Sequence, residues 1–345
     1  MKNIALVLCL LMSAQMAHAQ TATVKLTQVG TTTRDFADSS RSNWLGTGPR
    51  PLRTVVWYPA GNRGVEEQVD DPQQFVSPVA VHRNAAIAGK GKYPLIMISH
   101  GAQGNPVQMR WLGYYLAARG FIAVIVAHNG TNQEERRATE SDRTLSDFCM
   151  WERPRDISVV LDKILIDKEF KNRIDTSRIA VAGFSLGGAT AIWLAGPIFN
   201  MESLVKNEPE PPTQIRAAIN RLTALSKTDP VMIQSAKRQG DSFRDERIKA
   251  VFALGPAIGH AFSMQSLHGI TVPVQIVVGD ADLIAPKELN AAYYTANIPT
   301  ARKLIVLPGE RGHYTKPQLA HERPAELQEV SEIAYQFFIS TLKPN

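Results

Sequence analysis

The residues of this 345-residue chain best placed to do chemistry are a serine and its two glycine neighbours. Gly183-Phe184-Ser185-Leu186-Gly187 is a Gly-x-Ser-x-Gly pattern. An apolar run, Ile179-Ala180-Val181-Ala182, precedes it, and an Ala- and Leu-rich run follows. A serine on a sharp turn between strand and helix lifts its Oγ clear of the sheet, an arrangement called a nucleophile elbow. Side chains at the flanking glycines would collide with neighbouring backbone there. The helix opens at the serine, so its unpaired N–H groups and positive dipole end face any negative charge developing on a bound carbonyl oxygen. Ser185 is therefore the expected nucleophile of an acyl transfer. Five such residues also arise by chance in Gly-rich loops; the strand before and the helix after separate the two cases.

A serine hydroxyl needs a base to take its proton, and the base needs an acid to hold it. In α/β sheets such groups gather at the carboxyl ends of strands. After the apolar run 94–99 stands His100-Gly101-Ala102-Gln103-Gly104. This turn is expected to present the Ala102 N–H as one oxyanion donor, with the Leu186 N–H as the second, and His100 as a brace for the loop. His128 follows the run 121–126 and either lines a pocket or serves as a hydrogen-bonded structural residue. Residues 255–263, after the run 250–254, hold no Asp or Glu. The run 274–278 is followed by two candidate acids, Asp280 and Asp282. The run 303–307 leads to Gly309-Glu310-Arg311-Gly312-His313-Tyr314, which puts His313 on a loop at a strand end; His321, nearer the last helix, is the fallback base. Ser, then Asp, then His is one of the known chain orders of a catalytic triad.

The elements that must carry these residues read as an α/β layered sheet. Eight strand candidates lie at 23–27, 52–58, 94–99, 121–126, 179–182, 250–254, 274–278 and 303–307. The six from 94–99 onward are short apolar runs suited to a parallel sheet buried on both faces. Helices are expected over 107–118, 153–165, 285–296 and 325–342, the second with Pro154 in its first turn. Residues 60–92 read as loop. An insertion at 200–249 places Ile215, Ile219, Leu222 and Leu225 at helical spacing, which suits either a lid over the pocket or an inert surface elaboration.

Composition is that of a globular protein with a sizeable core, 44% hydrophobic and 20% charged. The net charge of +6 comes without a basic stripe interleaved with aromatics, so nucleic acid is not an expected partner. There is no His-Glu-x-x-His helix and no Cys/His cluster, so neither a metal nor another cofactor is expected. At the N-terminus Lys2, the apolar run 4–12 and Ala17-His18-Ala19 read as a signal peptide over 1–19, cleaved before Gln20. That implies a periplasmic or secreted protein forming a single domain over 20–345. No segment is long enough for a transmembrane anchor. After cleavage Cys149 is the only cysteine, read as a half-buried structural thiol.

With these motifs in place, the chain resembles α/β-hydrolases of the predicted dienelactone-hydrolase group, close to platelet-activating-factor acetylhydrolases and bacterial polyester hydrolases. The likeness runs over roughly residues 94–314 and is carried by SHGAQG, LAARGFIAVIVAH, ERPRDISVVLDKIL, GFSLGG, GDADLIAP and GERGHY. It implies an α/β-hydrolase fold with a mostly parallel eight-stranded sheet, helices on both faces and a helical insertion after the nucleophile helix. In such relatives the acid matches Asp282, which leaves Asp280 to cap its turn. Dienelactone hydrolases carry cysteine at the elbow, where this chain has Ser185, and the polyester hydrolases lack an insertion like 200–249.

The implied activity is cleavage of small-molecule or lipid carboxylic esters through Ser185, His313 and Asp282. The same site would also suit lipid acyl hydrolysis or amide cleavage, and a binding module that kept the elbow is the non-enzymatic alternative.

Overall fold

The computed structural model describes residues 26–61, 64–130, 149–207, 213–313 and 323–344. The apolar runs from residue 93 onward form neighbouring strands: β5 (Tyr93–Ser99), β6 (Ile122–Val126), β7 (Ile174–Phe184), β8 (Ile248–Leu254), β9 (Val274–Gly279) and β10 (Ile305–Leu307). They pair in parallel in the order β10-β9-β8-β7-β5-β6. Their register decides where the chemistry can sit. Ser99 pairs with Gly183, Phe184 with Leu254, Leu254 with Val277, and Gly279 with Leu307. The turns that leave β5, β7, β8, β9 and β10 therefore emerge along one edge of the sheet.

Four more strands extend the sheet beyond β6: β1 (Gln28–Ser42), β2 (Pro49–Ala60), β3 (Val65–Val69) and β4 (Val79–Arg83). The order continues β6-β2-β1-β4-β3, giving a sheet of ten strands among the described residues, still mostly parallel, rather than the eight strands expected. The first described strand starts at Gln28, residues 23–25 of the expected strand 23–27 lying outside the described residues, and the stretch 60–92 holds β3 and β4 where only loop was expected. The physical reason is antiparallel pairing. β1–β2, β2–β6 and β3–β4 are antiparallel, and such strands can leave one face solvated, so they need no continuous apolar run. β1 reads QVGTTTRDFADSSRS, with polar residues on much of its length.

Helices cover both faces. On one side α1 (Arg110–Ala117) and α9 (Arg323–Thr341) bury Trp111, Leu116 and Phe338 against Ile96, Ile98 and Phe252. On the other, α2 (Glu152–Ile166), α3 (Leu186–Trp193) and α8 (Ala291–Asn297) bury Ile157, Ile192 and Tyr294 with Met97 and Val181. Alternate residues of β5 thus feed two separate cores, as the period of a strand requires.

The insertion forms α4 (Met201–Asn207), α5 (Thr213–Thr228) and α6 (Pro230–Ala236), and the short α7 (Met264–His268) follows β8. Asp229 caps α6 by accepting the Met232 N–H at 2.9 Å, with Pro230 in the first turn. This last helix is firmly seated. Met232 Sδ lies 3.6 Å from Cys149 Sγ, and Trp151 Nε1 donates to the Ser235 carbonyl at 2.9 Å. Cys149 is fully rather than half buried, and burial pushes its thiol well above the usual range. In α5, Leu225 is half-buried against the core, while the side chains of Ile215, Ile219 and Leu222 lie outside the described residues. The leader 1–19 and His321 lie outside them as well. Among the described residues no helix is long and apolar enough to cross a membrane.

Candidate active site

Ser185 sits between β7 and α3 with φ 55° and ψ −121°, a backbone region that residues bearing a Cβ rarely adopt. The glycines on either side make this possible. A Cβ at Gly183 would lie 2.0 Å from the Gly187 carbonyl oxygen, and one at Gly187 would lie 2.1 Å from that of Ser99. The strained turn is held at both ends: the Ser185 N–H donates to Leu254 O at 2.9 Å, and its carbonyl accepts the Ala189 N–H at 3.0 Å. Leu186 is the first residue of α3, so its N–H belongs to the set that a helix cannot satisfy internally.

The loops after β9 and β10 bring the acid and the histidine to this turn. His313 Nε2 lies 2.7 Å from Ser185 Oγ, and His313 Nδ1 lies 2.8 Å from Asp282 Oδ2. The second carboxylate oxygen of Asp282 accepts the N–H groups of Ile284 at 3.0 Å and Ala285 at 2.8 Å. One oxygen is thereby anchored to backbone, and the other faces the imidazole. This pairing assigns the proton to Nδ1 and leaves Nε2 to accept the serine hydroxyl. The Phe184 ring packs on His313 with centroids 4.9 Å apart.

Asp280 plays a different part. Its carboxylate accepts the backbone N–H groups of Gly309 at 2.9 Å, Glu310 at 3.3 Å and Arg311 at 2.8 Å, which pins the loop that carries His313. Desolvation pushes its carboxyl up, but the donors from Arg311, Glu310 and Gly309 outweigh that and hold it below the usual range.

The structure contains a second hydrogen-bonded Ser–His–Asp chain. Ser99 Oγ lies 2.9 Å from His128 Nε2, and His128 Nδ1 lies 3.0 Å from Asp156 Oδ2. Electrostatics and access distinguish the two. Ser99, His128 and Asp156 are all 0% exposed, against 8% for Ser185. Burial, reinforced by the Arg153 charge, drives His128 down to about 3, so it cannot take up a proton near neutrality. Burial alone would raise Asp156, but Arg50 and Arg41 hold it well below the carboxylate range. This inner chain is structural, and it settles His128 as a hydrogen-bonded core residue rather than a pocket-lining one.

Around Asp156 lies a buried ionic cluster that sequence reasoning missed. Arg41 reaches Asp38 at 2.6 Å, Glu152 at 2.7 Å and Asp156 at 2.7 Å, and Arg50 reaches Asp156 at 2.7 Å while lying over the Trp44 ring. The only signal was ERPRD at the start of α2, a charged segment that turns out to be buried. Part of this cluster borders a cavity of about 620 Å³ between the β1–β2 turn and α6. Neither Ser185 nor His313 lines it.

Residues 39–209 match the PET hydrolase-like family, PETase. The cutinase est1 of Thermobifida alba is 31% identical over 120 residues, covering 34% of this chain and 35% of that protein. Platelet-activating factor acetylhydrolase of Bos taurus is 27% identical over 32% of this chain and 33% of its own length. The chain thus spans about a third of the length of the curated relatives it matches. Among solved structures, a ferulic acid esterase from Streptomyces cinnamoneus superposes with a TM-score of 0.62 at 18% identity, covering 92% of each chain, a likeness of fold. The sheet order, the turn that bears Ser185 and these matches together place the chain in the α/β-hydrolase superfamily, and its stretch 39–209 in the PET hydrolase-like, cutinase-related family.

Proposed function

We propose that this protein is an exported serine hydrolase of carboxylic esters, with Ser185 as nucleophile, His313 as base and Asp282 as the acid that orients it. The observation that carries the reading is the pair of short hydrogen bonds, 2.7 Å and 2.8 Å, that runs from Ser185 through His313 to Asp282. Export rests on the leader pattern at 1–19 and on nothing else.

In the first half-reaction His313 Nε2 takes the Ser185 proton as Oγ attacks the ester carbonyl carbon. Asp282 holds the Nδ1–H tautomer and stabilises the imidazolium that forms. The carbonyl oxygen becomes an oxyanion stabilised by the N–H groups of Ala102 and Leu186, each worth about 3 kcal/mol of barrier. The imidazolium then protonates the leaving alkoxide as the C–O bond breaks. Water enters, gives a proton to His313 and attacks the acyl-enzyme, and collapse releases the acid and restores Ser185.

The substrate is an ester with an apolar acyl or alcohol part. Leu283 and Ile284, directly after Asp282, are 89% and 78% exposed, and they offer apolar surface beside the triad. The relatives named cutinase and PET hydrolase-like point to the same ester class. Helix α5 of the insertion 200–249, set between the elbow helix and β8, is proposed to wall the acyl side of the pocket. The test is active-site titration with a fluorophosphonate, followed by p-nitrophenyl ester turnover. One label per chain, on Ser185, with acetate or octanoate hydrolysed, is the expected result. Stoichiometric absence of label would sink the reading.

A further inference from the structure

The buried arginine at the start of α2 has no part in the triad, yet it touches the loop that carries one proposed oxyanion donor. Arg153 is 1% exposed. Its Nη2 donates to the His100 carbonyl at 2.9 Å and to the Gly101 carbonyl at 3.1 Å. The Gly101 carbonyl oxygen also faces His100 Nδ1 at 2.8 Å and the Gly104 N–H at 3.2 Å. On the other side of the same residue, the Gly101 N–H donates to Gln108 Oε1 at 2.8 Å.

The Gly101 carbonyl and the Ala102 N–H belong to one peptide unit. A trans peptide is planar, so its C=O and N–H point in opposite directions. Fixing the carbonyl against Arg153, His100 and Gly104 therefore fixes the aim of the Ala102 N–H away from them. A guanidinium on the carbonyl end also polarises the peptide, which makes the N–H a stronger donor. The loop lies against the nucleophile turn: a Cβ on Gly187 would strike the carbonyl oxygens of Ser99 and His100, and one on Gly101 would lie 3.0 Å from the Phe184 ring.

His100 is itself held for this task. Its Nδ1 lies 2.8 Å from the Gly101 carbonyl oxygen and 3.1 Å from Arg153 Nη2, and its Nε2 faces the His128 N–H at 3.4 Å. Burial, with the Arg153 charge beside it, keeps the ring neutral. Below it the Ser99–His128–Asp156 chain fixes the end of β5 to that of β6.

We propose that Arg153 is a positioning residue of the oxyanion hole: held against the Gly101 carbonyl, it aims and polarises the Ala102 N–H. The inference rests on the serine-hydrolase reading above. Its test uses Arg153→Met, which keeps length and removes charge and donors, and Arg153→Lys, which keeps a charge and a donor. Rates for p-nitrophenyl acetate are counted per fluorophosphonate-labelled site, so that misfolded protein does not enter them.

The expected result for Arg153→Met is a fall in kcat of roughly tenfold or more, short of the loss of a whole donor. KM should stay within about threefold, since ground-state binding does not use the oxyanion donors. Arg153→Lys should recover a substantial part of the loss, and the crystal structure of Arg153→Met should show the 101–102 peptide turned from its wild-type orientation. An unchanged kcat per labelled site overturns the proposal, as does a loss explained wholly by fewer labelled sites. Should the wild-type protein hydrolyse no ester, the hydrolase reading fails on its own, and the orientation of the 101–102 peptide in Arg153→Met decides the positioning role.

Discussion

At Ser185 function and stability pull in opposite directions. A φ of 55° with ψ of −121° suits glycine, and holding a serine there costs on the order of 1–3 kcal/mol. Ser185→Gly should relieve most of that strain while giving up roughly 0.5–1 kcal/mol to the freer unfolded chain. The expected outcome is a melting temperature about 2 °C higher with turnover abolished, whereas Ser185→Ala abolishes turnover at an unchanged melting temperature. Calorimetry beside an esterase assay on both variants checks this; near-wild-type activity in Ser185→Ala would remove the nucleophile from the scheme. The two acids are expected to separate just as clearly. Asp282→Asn offers an amide donor to His313 Nδ1 and enforces the wrong tautomer, so kcat should fall by about 10⁴-fold. Asp280→Asn loosens the loop 309–311 instead, lowering the melting temperature with a much smaller kinetic effect. If the kinetic ranking of the two is inverted, the acid is Asp280.

Among the elements, the ends of β5 and β6 and the start of α2 form a buried polar layer whose protonation bears on stability. His128 and His100 are both kept neutral, by burial first and by the nearby Arg153 charge second. Unfolding frees them to protonate at an ordinary value of about 6.5, so below that pH the unfolded chain binds more protons than the fold. Stability is therefore expected to fall as pH drops from about 6.5 towards about 3, where His128 itself charges. Asp156 and Glu152, both held low, add their own losses only in the carboxylate range. His128→Gln keeps hydrogen-bonding capacity towards Ser99 and Asp156, and it should flatten the melting-temperature profile between pH 6.5 and 4 by about one proton's worth. Parallel profiles for the two proteins would show that His128 does not carry the effect. This layer also marks the limit of what the sequence made legible. Ser185, His313 and the pair Asp280 and Asp282 stood at the ends of apolar runs, where a short-period pattern and a chain order point to them. Arg41 meets Glu152 across 111 residues and Arg50 meets Asp156 across 106, and no local spacing encodes such pairings. The choice between the two acids came from family likeness, and here the hydrogen bonds of Asp282 and Asp280 give each a distinct physical role.

For the molecule as a whole, the outstanding question is how the insertion 200–249 relates to the sheet edge that carries Ser185. Its last helix, α6, is bound to the start of α2 by Trp151–Ser235 and by ion pairing of Arg238 with Glu152, so that part serves as framework. Helix α5 is divided. Leu225 packs half-buried on the main core, while its exposed positions include Asn220, Arg221 and Thr223. Replacing Leu225 with Asp sets a carboxylate against apolar neighbours and should cost about 1–3 kcal/mol, seen as a lower melting temperature with the ester preference unaltered. Leu222, one turn earlier, is the position through which the proposed wall would be felt. If α5 closes the acyl side of the pocket, Leu222→Asp weakens transition states bearing long acyl chains more than short ones, because each methylene held in an apolar pocket is worth about 1–3 kcal/mol. The expected result is a drop of roughly tenfold or more in the ratio of kcat/KM for p-nitrophenyl octanoate over acetate, with the melting temperature near that of the wild type. A preference that stays fixed in Leu222→Asp while stability collapses would assign α5 to the core and leave the pocket unwalled on that side.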